Sequence, residues 1–154
     1  MLLTNIADLF WVKMKYPLFF NVSIPANTKY LSSIRNFWMD NGCKAGVCNE
    51  IMHDFALVLE EHGTNIIRYG YCGKQGNIKY SFKIRKTFVE VIVRDRGCPF
   101  CEEILHTAKM PDFTKTTEVG KMGIPLIKEL MDEFSYARTT HGTNIWKLKK
   151  FTER

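Results

Sequence analysis

Apolar residues recur along this chain with two periods, and each period predicts a different element of secondary structure. Four apolar residues between positions 48 and 69 share one face of a predicted helix: Ile51, Phe55, Leu59 and Ile66. We expect this helix to end at Gly70, because glycine tolerates the left-handed conformation of a helix cap. Gly63 lies inside the helix, where glycine costs about 1 kcal/mol relative to alanine. It indicates close approach of another backbone or a ligand, unless the helix merely tolerates it.

Alternation of apolar and polar residues predicts strands in the rest of the chain. The predicted strands cover residues 18–24, 78–84, 88–93, 135–140 and 143–150. Further helices are predicted from an N-cap at Asn27 to Asn41-Gly42, over residues 102–108, and over residues 124–134. Antiparallel hairpins on one side and helices on the other predict an α/β (α+β) fold. It is a two-layer sandwich with a mixed, mostly antiparallel sheet and helices on one face.

The length of 154 residues predicts one folded domain. We assign residues 18–154 to that domain and residues 1–17 to an N-terminal leader, whose apolar spacing indicates a short amphipathic helix broken by Pro17. An apolar content of 45% and a charged content of 25% are ordinary for a soluble globular protein. No apolar run reaches the length that crosses a bilayer, so we expect no membrane partner.

Charge and cysteine content narrow the class of partner and the compartment. The formal charge of +6 is compatible with nucleotide phosphates, nucleic acid or an acidic protein. Lysine and arginine are spread along the chain without a run of five, so we expect no direct binding of nucleic acid. The five cysteines are an odd number, and their spacing does not indicate a disulfide framework. A reducing, cytoplasmic location fits this pattern best.

Glu61 and Asn65 are four residues apart on the predicted long helix, so they lie one above the other on one of its faces. A carboxylate and a carboxamide in this arrangement can hold a hard cation such as Mg²⁺ and can accept a proton from a hydroxyl. Magnesium in turn binds phosphates. A pair of this kind is usually just a solvated helix face, so its meaning depends on the motifs nearer the C-terminus.

Two later segments carry groups that suit a nucleotide. Asp95 follows a strand and precedes Gly97. Its carboxylate can accept a hydrogen bond from an exocyclic amine, and Gly97 lets a flat base approach the backbone, although a simple turn is the alternative. The segment Gly120-Lys121-Met122-Gly123 leads into a helix N-terminus, where backbone amides and the helix dipole form an anion site. Lys121 can add a point charge for a phosphate oxygen.

The order of these motifs resembles that of the GHKL (Bergerat-fold) ATPases. A Glu-x-x-x-Asn helix is followed by an Asp-x-Gly turn, by a glycine-containing loop that opens a helix, and by Gly142-Thr143 before a last strand. Two runs are similar to the bacterial anti-sigma serine-protein kinases of sporulation and general-stress switches: residues 95–100, an Asp-x-Gly-x-Pro-Phe run, and residues 126–132, a Leu-Ile-x-x-Leu-Met-Asp run. The resemblance covers residues 18–151.

The resemblance implies a fold, an activity and partners. The fold is that of the histidine-kinase-like ATPases, and the cofactors are ATP and Mg²⁺. The activity is that of an ATP-dependent serine-protein kinase acting as an anti-sigma factor, which phosphorylates a serine of a STAS-type anti-sigma-antagonist protein. A sigma factor and a second copy of the chain, in a homodimer, are the other implied partners.

The resemblance also implies roles for individual residues. Glu61 is the general base toward the serine hydroxyl, and Asn65 holds the magnesium ion. Asp95 reads the adenine amine. Within the same pocket, three further positions match ATP-binding residues of the family: Gly97, Gly123, and Thr143, whose hydroxyl supports the aspartate. Lys121 stands where the family has the first glycine of its phosphate loop. This departure changes the contacts that are expected with the phosphate groups.

Two alternative functions remain. The departure at Lys121 favours a nucleotide-binding partner-switch module without kinase activity. Separately, Cys98-Pro99-Phe100-Cys101 follows a strand and precedes a predicted helix, as in the active site of a glutaredoxin, and this arrangement is typical of a dithiol oxidoreductase. Against the second alternative, the motif lies two-thirds of the way along the chain, and Pro99-Phe100 also fits the ATPase turn.

Overall fold

The computed structural model describes residues 16–109 and 123–152, and within these ranges five strands form one sheet. The strands are β1 (Leu18–Pro25), β2 (Asn77–Ile84), β3 (Phe88–Asp95), β4 (Glu133–Arg138) and β5 (Asn144–Phe151). Their spatial order is β1-β2-β3-β5-β4. The predicted leader, residues 1–17, lies outside the described residues except for its last two.

All four strand pairings in the described sheet are antiparallel. The predicted two-layer sandwich is confirmed, with helices packed on one face of the sheet. The sheet itself is antiparallel among the described strands, and not mixed as expected. The sheet has no parallel pair because of the path of the chain after β3. The chain first forms β4 at the edge of the sheet and then returns as β5 between β3 and β4. Because β4 runs in the same direction as β3, the returning β5 lies antiparallel to both of its neighbours.

The described helices are α1 (Leu31–Lys44), α2 (Asn49–Asn65), α3 (Glu103–Thr107) and α4 (Gly123–Leu130). A 3₁₀ turn over Thr28–Tyr30 precedes α1, and a π-helical turn over Ile66–Tyr71 extends α2. Asn27 begins the first of these segments as predicted, since its side chain accepts a hydrogen bond from the Lys29 backbone N–H at 3.1 Å.

The hydrophobic core lies between the helices and one face of the sheet. Along β2 and β3 every second residue is buried, as strand alternation requires when only one face is covered. Trp38 of α1 stacks on Phe82 of β2 with ring centroids 5.5 Å apart, and Phe55 of α2 packs beside it at 5.3 Å. These three large rings, each no more than 2% exposed, hold the two long helices against the sheet.

Gly63 of α2 lies at a close contact between elements, but the groups that approach it are not those that the sequence predicts. A Cβ at this position would lie 2.6 Å from a methyl group of Leu31 and 3.2 Å from the hydroxyl of Tyr80. The helix therefore needs glycine here because α1 and β2 approach it closely. The approaching groups are side chains of the core rather than a backbone or a ligand.

Two predicted helix ends are wrong. The long helix does not stop at Gly70, because the π turn continues to Tyr71, and the left-handed residue is Cys72, with φ of 52°. The predicted helix over residues 124–134 ends at Leu130, and Phe134 belongs to β4 instead. Phe134 stacks on Trp146 with their ring planes 13° apart, so this contact across the sheet outweighs the helical spacing of its apolar neighbours.

No helix among the described residues is both long enough and apolar enough to cross a membrane. All five cysteines lie in the described ranges, where they are exposed free thiols.

Candidate functional site

A cavity of about 620 Å³ opens at the end of the sheet where β3 stops and β5 begins. Its walls come from the end of α2 with the π turn, the segment from the end of β3 to α3, the first turn of α4, and the start of β5. Three of the residues predicted to contact ATP or Mg²⁺ lie in these walls: Asn65, Asp95 and Gly123. The volume is in the range of small-molecule and cofactor sites.

Asp95 is the last residue of β3 and is only 2% exposed. Its Oδ1 accepts hydrogen bonds from the backbone N–H of Gly97 at 2.8 Å and from Asn144 Nδ2 at 2.7 Å. Its Oδ2 accepts one from Trp146 Nε1 at 2.9 Å. Burial of a carboxylate is costly without such partners, and these donors fix its orientation in the wall. No second donor to Oδ2 is found among the described residues, so a lone pair of this oxygen can accept from a further donor, such as a ligand amine.

An aromatic cluster lies next to this carboxylate. Among the described residues, four rings surround the indole of Trp146, with centroids at 4.5 Å for Tyr136, 4.7 Å for His62, 4.9 Å for Phe100 and 5.9 Å for Phe134. Trp146, His62 and Phe100 also line the cavity. Aromatic surfaces with one buried acceptor beside them suit a flat ligand that carries a hydrogen-bond donor.

The turn after β3 is held against the π turn by two glycines. A Cβ on Gly97 would lie 2.8 Å from the carbonyl carbon of Gly70, and Gly70 accepts a hydrogen bond from the Cys98 N–H at 2.9 Å. The need for glycine at position 97 therefore comes from the chain's own backbone at Gly70. Tyr69 and Gly70 of the π turn also line the cavity, so the widened turn and its contact with the Asp95 segment are part of the site's construction.

Tyr71 supports the same turn from the side of β2. Its hydroxyl accepts a hydrogen bond from the Arg96 N–H at 2.9 Å and donates one to the carbonyl of Asn77 at 2.7 Å. Burial, as the main cause, raises the pKa of the Tyr71 phenol, so the hydroxyl keeps its proton and both bonds persist at neutral pH.

Asn65 and Gly123 meet at the other end of the cavity. Asn65 ends α2 and Gly123 begins α4. A Cβ on Gly123 would lie 2.5 Å from Asn65 Nδ2 and 3.3 Å from its Oδ1. The predicted magnesium ligand and the predicted phosphate-binding helix start are therefore in direct contact. The first backbone N–H groups of a helix have no partner within that helix, so the Asn65 amide lies next to groups that can bind an anion.

The remaining predicted residues are less central to the cavity. Glu61 is half-buried one turn before Asn65 on α2, and it is not among the described residues that line the cavity. Lys121 lies outside the described residues. The sequence predicts that Thr143 supports Asp95, but the structure gives this contact to Asn144.

The strand register explains the correction at Thr143. Asn144 is the residue directly opposite Asp95 in the pairing of β3 with β5. Thr143 lies one residue before the strand, and its hydroxyl accepts a hydrogen bond from Arg96 Nη1 at 3.5 Å. Asn144 itself is held by Tyr136 and Arg138, whose donors reach its Oδ1 at 2.7 and 2.6 Å. The amide is thereby oriented with its nitrogen toward Asp95.

Sequence reasoning missed Asn144, Trp146 and His62 as residues of the site. The alternation of the last strand contained a signal for the first two, because it puts both on the same face as Leu148. Asn144 is thus a polar residue that faces inward at the start of the strand. Finding them also required the register between β3 and β5, which local patterns do not contain. His62 follows Glu61 directly and carried no signal of its own.

The fold and this cavity define a class of protein. A family model described as the histidine kinase-like ATPase domain matches residues 24–149, and the chain belongs to this family. Among curated proteins, the chain is similar to the serine-protein kinase RsbW of Staphylococcus aureus (strain bovine RF122 / ET3-1), with 27% identity over 122 residues, which cover 75% of this chain and 76% of the relative. It is also similar to the serine-protein kinase RsbW of Bacillus mycoides (strain KBAB4), with 28% identity over 116 residues, which cover 73% of this chain and 72% of the relative.

Proposed function

We propose that this protein is an ATP- and Mg²⁺-dependent serine-protein kinase that acts as an anti-sigma factor. It phosphorylates a serine of a STAS-type antagonist protein and binds a sigma factor in the other state of the switch. The observation that carries the proposal is the convergence of Asp95, Asn65 and Gly123 on one cavity of about 620 Å³. The similarity to relatives named serine-protein kinase supports it.

The chemistry of the cavity supports an adenine nucleotide in one orientation. The free lone pair of Asp95 Oδ2 accepts a hydrogen bond from the exocyclic amine of adenine, which guanine lacks at that position. The aromatic cluster around Trp146 provides the surface for the base. At the other end, the helix start at Gly123 suits phosphate oxygens.

The amide oxygen of Asn65 is a ligand of the kind that Mg²⁺ prefers, and it lies against the same helix start. The magnesium ion neutralises charge on the phosphates when it is bound. The serine hydroxyl of the substrate attacks the γ-phosphorus, the bond to the β–γ bridging oxygen breaks, and ADP leaves. Glu61, one helical turn before Asn65, accepts the proton of the serine hydroxyl.

Phosphorylation of the antagonist tests this proposal. A STAS-type protein encoded near this gene is incubated with the kinase and Mg·ATP, and serine phosphorylation is measured by intact-protein mass spectrometry. Glu61→Ala should reduce the rate at least a hundredfold, as expected when a general base is removed. Glu60→Ala is the matched control, because Glu60 is the adjacent, equally half-buried carboxylate of α2. Equal rates in both variants would remove Glu61 from the role of base.

The partners are tested separately. Pull-downs from the source cell with ATP or ADP present should recover a sigma factor and the antagonist in different proportions. Sedimentation of the purified chain tests the proposed homodimer. Recovery of neither partner with either nucleotide contradicts the anti-sigma assignment while leaving the kinase activity open to the first test.

The alternative of a nucleotide-gated module without phosphoryl transfer rests on Lys121 in the phosphate loop. Tight ATP binding with no phosphorylation of any STAS-type partner favours this alternative. In that case Lys121→Gly, which restores the family's residue, should recover transfer if the lysine is the cause.

The dithiol alternative rests on Cys98 and Cys101, both of which are exposed and line the cavity. Changing both to serine should leave ATP binding and phosphorylation intact. Loss of a disulfide-reducing activity as the only measurable change would favour the oxidoreductase instead.

A further inference from the structure

His62 is a buried imidazole without a hydrogen-bond partner among the described residues. It is 1% exposed, and neither Nδ1 nor Nε2 has a partner there. Its ring meets the indole of Trp146 edge-on at 4.7 Å and the ring of Phe134 at 5.9 Å. A buried polar group normally finds a partner, so two orphaned nitrogens on one ring require an explanation.

The protonation state of His62 limits what the ring can bind. Burial lowers its pKa to about 3, so the ring is neutral at physiological pH. A neutral imidazole has one nitrogen that donates and one that accepts. It therefore suits a neutral hydrogen-bonding ligand rather than a phosphate or a carboxylate.

The position of His62 separates it from the other orphaned group of the core. The hydroxyl of Tyr80 is also buried and without a partner in the described structure, but it lies against Gly63 inside the core, and Tyr80 is not among the residues that line the cavity. His62 does line the cavity, together with Asp95, Asn65 and Trp146. His62 therefore borders the cavity, whereas Tyr80 does not.

We propose that His62 is a second base-reading residue of the nucleotide site, and that it donates a hydrogen bond to a ring nitrogen of adenine. This inference rests on the proposed binding of ATP. Trp146 contacts the His62 ring and donates to Asp95, so the imidazole lies one ring away from the carboxylate that accepts the exocyclic amine. The ring nitrogens that flank that amine are N1 and N7, and both are acceptors. N3 lies on the far side of the base.

Adenine nucleotides that lack one ring nitrogen test the inference. Affinities for ADP, 1-deaza-ADP, 7-deaza-ADP and 3-deaza-ADP are measured by calorimetry on the wild type, on His62→Phe and on Tyr80→Phe. The wild type should bind either the 1-deaza or the 7-deaza compound about tenfold more weakly than ADP, the cost of one hydrogen bond, and should bind 3-deaza-ADP like ADP. His62→Phe keeps an aromatic ring beside Trp146, and it should bind ADP about tenfold more weakly with no further loss for the sensitive analogue.

The control and the contradicting results are distinct. Tyr80→Phe removes the other orphaned group, and it should bind every nucleotide like the wild type. Unchanged ADP affinity in His62→Phe, or an equal loss for all four nucleotides, would overturn the inference, because the ring then acts only by packing. Wild-type protein that binds ADP but does not distinguish the analogues overturns this inference alone. Wild-type protein that binds no adenine nucleotide overturns the proposed function as well.

If His62→Phe does not fold, a measurement on the wild type tests the same inference. The ¹⁵N chemical shifts of the His62 ring report which nitrogen carries the proton and whether it donates a hydrogen bond. Saturation with ADP should shift one ring nitrogen in the direction of a hydrogen-bonded donor. Saturation without any change in these shifts contradicts the inference.

Discussion

The inward faces of β2 and β5 belong to one sheet, yet they have different character. The inward residues of β2 are Ile78, Tyr80, Phe82 and Ile84, and all are at most 2% exposed. Those of β5 are Asn144, Trp146, Leu148 and Lys150. The β2 side packs rings and aliphatic groups under α1 and α2, whereas β5 directs an amide and an indole N–H toward Asp95. The same alternation thus builds a core at one side of the sheet and a binding site at the other.

The difference lies in what each side does with its hydrogen-bonding groups. On the β2 side, Trp38 donates its indole N–H to the Met52 carbonyl at 2.8 Å, a bond that only holds the core together. On the β5 side, Trp146 donates its indole N–H to Asp95 at 2.9 Å, a carboxylate that also faces the cavity. Changes on the first side should therefore alter stability alone, and changes on the second should alter stability and nucleotide affinity together.

The largest effect is expected at Gly97. A methyl group there meets the Gly70 backbone at 2.8 Å, so Gly97→Ala should lower the free energy of unfolding by more than about 3 kcal/mol and abolish ADP binding. Gly70→Ala is the matched control, because its methyl group would have nothing nearer than 3.8 Å. Urea unfolding and calorimetry measure both effects. Equal stability of the two variants would contradict the close contact of the two turns.

The next effect concerns the carboxylate itself. Asp95→Asn puts an amide nitrogen among N–H donors, and it should weaken ADP binding about a hundredfold, the loss of a charge-assisted hydrogen bond. Asp54→Asn is the control, since Asp54 pairs with Lys150 at 2.9 Å and is not among the described residues that line the cavity. If Asp54→Asn weakens binding as much as Asp95→Asn does, binding is not localised at the cavity.

The same substitution in the two regions compares them directly. Trp38→Phe and Trp146→Phe each remove one indole N–H, and each should lower the free energy of unfolding by about 1–3 kcal/mol. Trp38→Phe should leave ADP affinity unchanged, whereas Trp146→Phe should lower it about tenfold because Asp95 loses a donor that fixes its orientation. Thermal unfolding and calorimetry separate the two outcomes. Reduced affinity in Trp38→Phe would contradict the division.

The smallest effect is a dependence of stability on pH. His62 takes up a proton near pH 6.5 when unfolded, but burial lowers its pKa to about 3 in the folded state, so the unfolded state binds more protons between these values. The contribution is complete well above pH 6.5 and is lost as pH falls, by about 1.7 kcal/mol between pH 6.5 and pH 5. His62→Phe should flatten this part of the profile, measured by urea unfolding. An unchanged slope of stability against pH in His62→Phe would mean that groups other than His62 cause the pH dependence.

The extent to which the sequence predicts this protein differs between fold and site. The amphipathic pattern of α2 and the alternation of the strands predict the elements and the two layers, because burial on one face leaves a periodic record. Asn65, Asp95 and Gly123 were predictable from motif order, and the structure brings them to one cavity. Phe134 was assigned to the wrong element, because a short apolar run fits both periods.

Contacts between distant segments account for what the sequence did not predict. Asn144 is the partner of Asp95 through a register between strands 49 residues apart. The residue in the left-handed conformation is Cys72 and not the predicted Gly70, because Gly70 lies inside the π turn and packs against Gly97. Such pairings are set by tertiary packing and not by local preference.

A crystal structure of the protein with Mg·ADP would show whether the cavity beside Asp95 is an adenine nucleotide site. We predict the adenine amine within hydrogen-bonding distance of Asp95 Oδ2, the base against Trp146, and the Asn65 amide oxygen at the magnesium ion. Nucleotide bound at another surface, or an adenine turned away from Asp95 in this cavity, would contradict the proposed site.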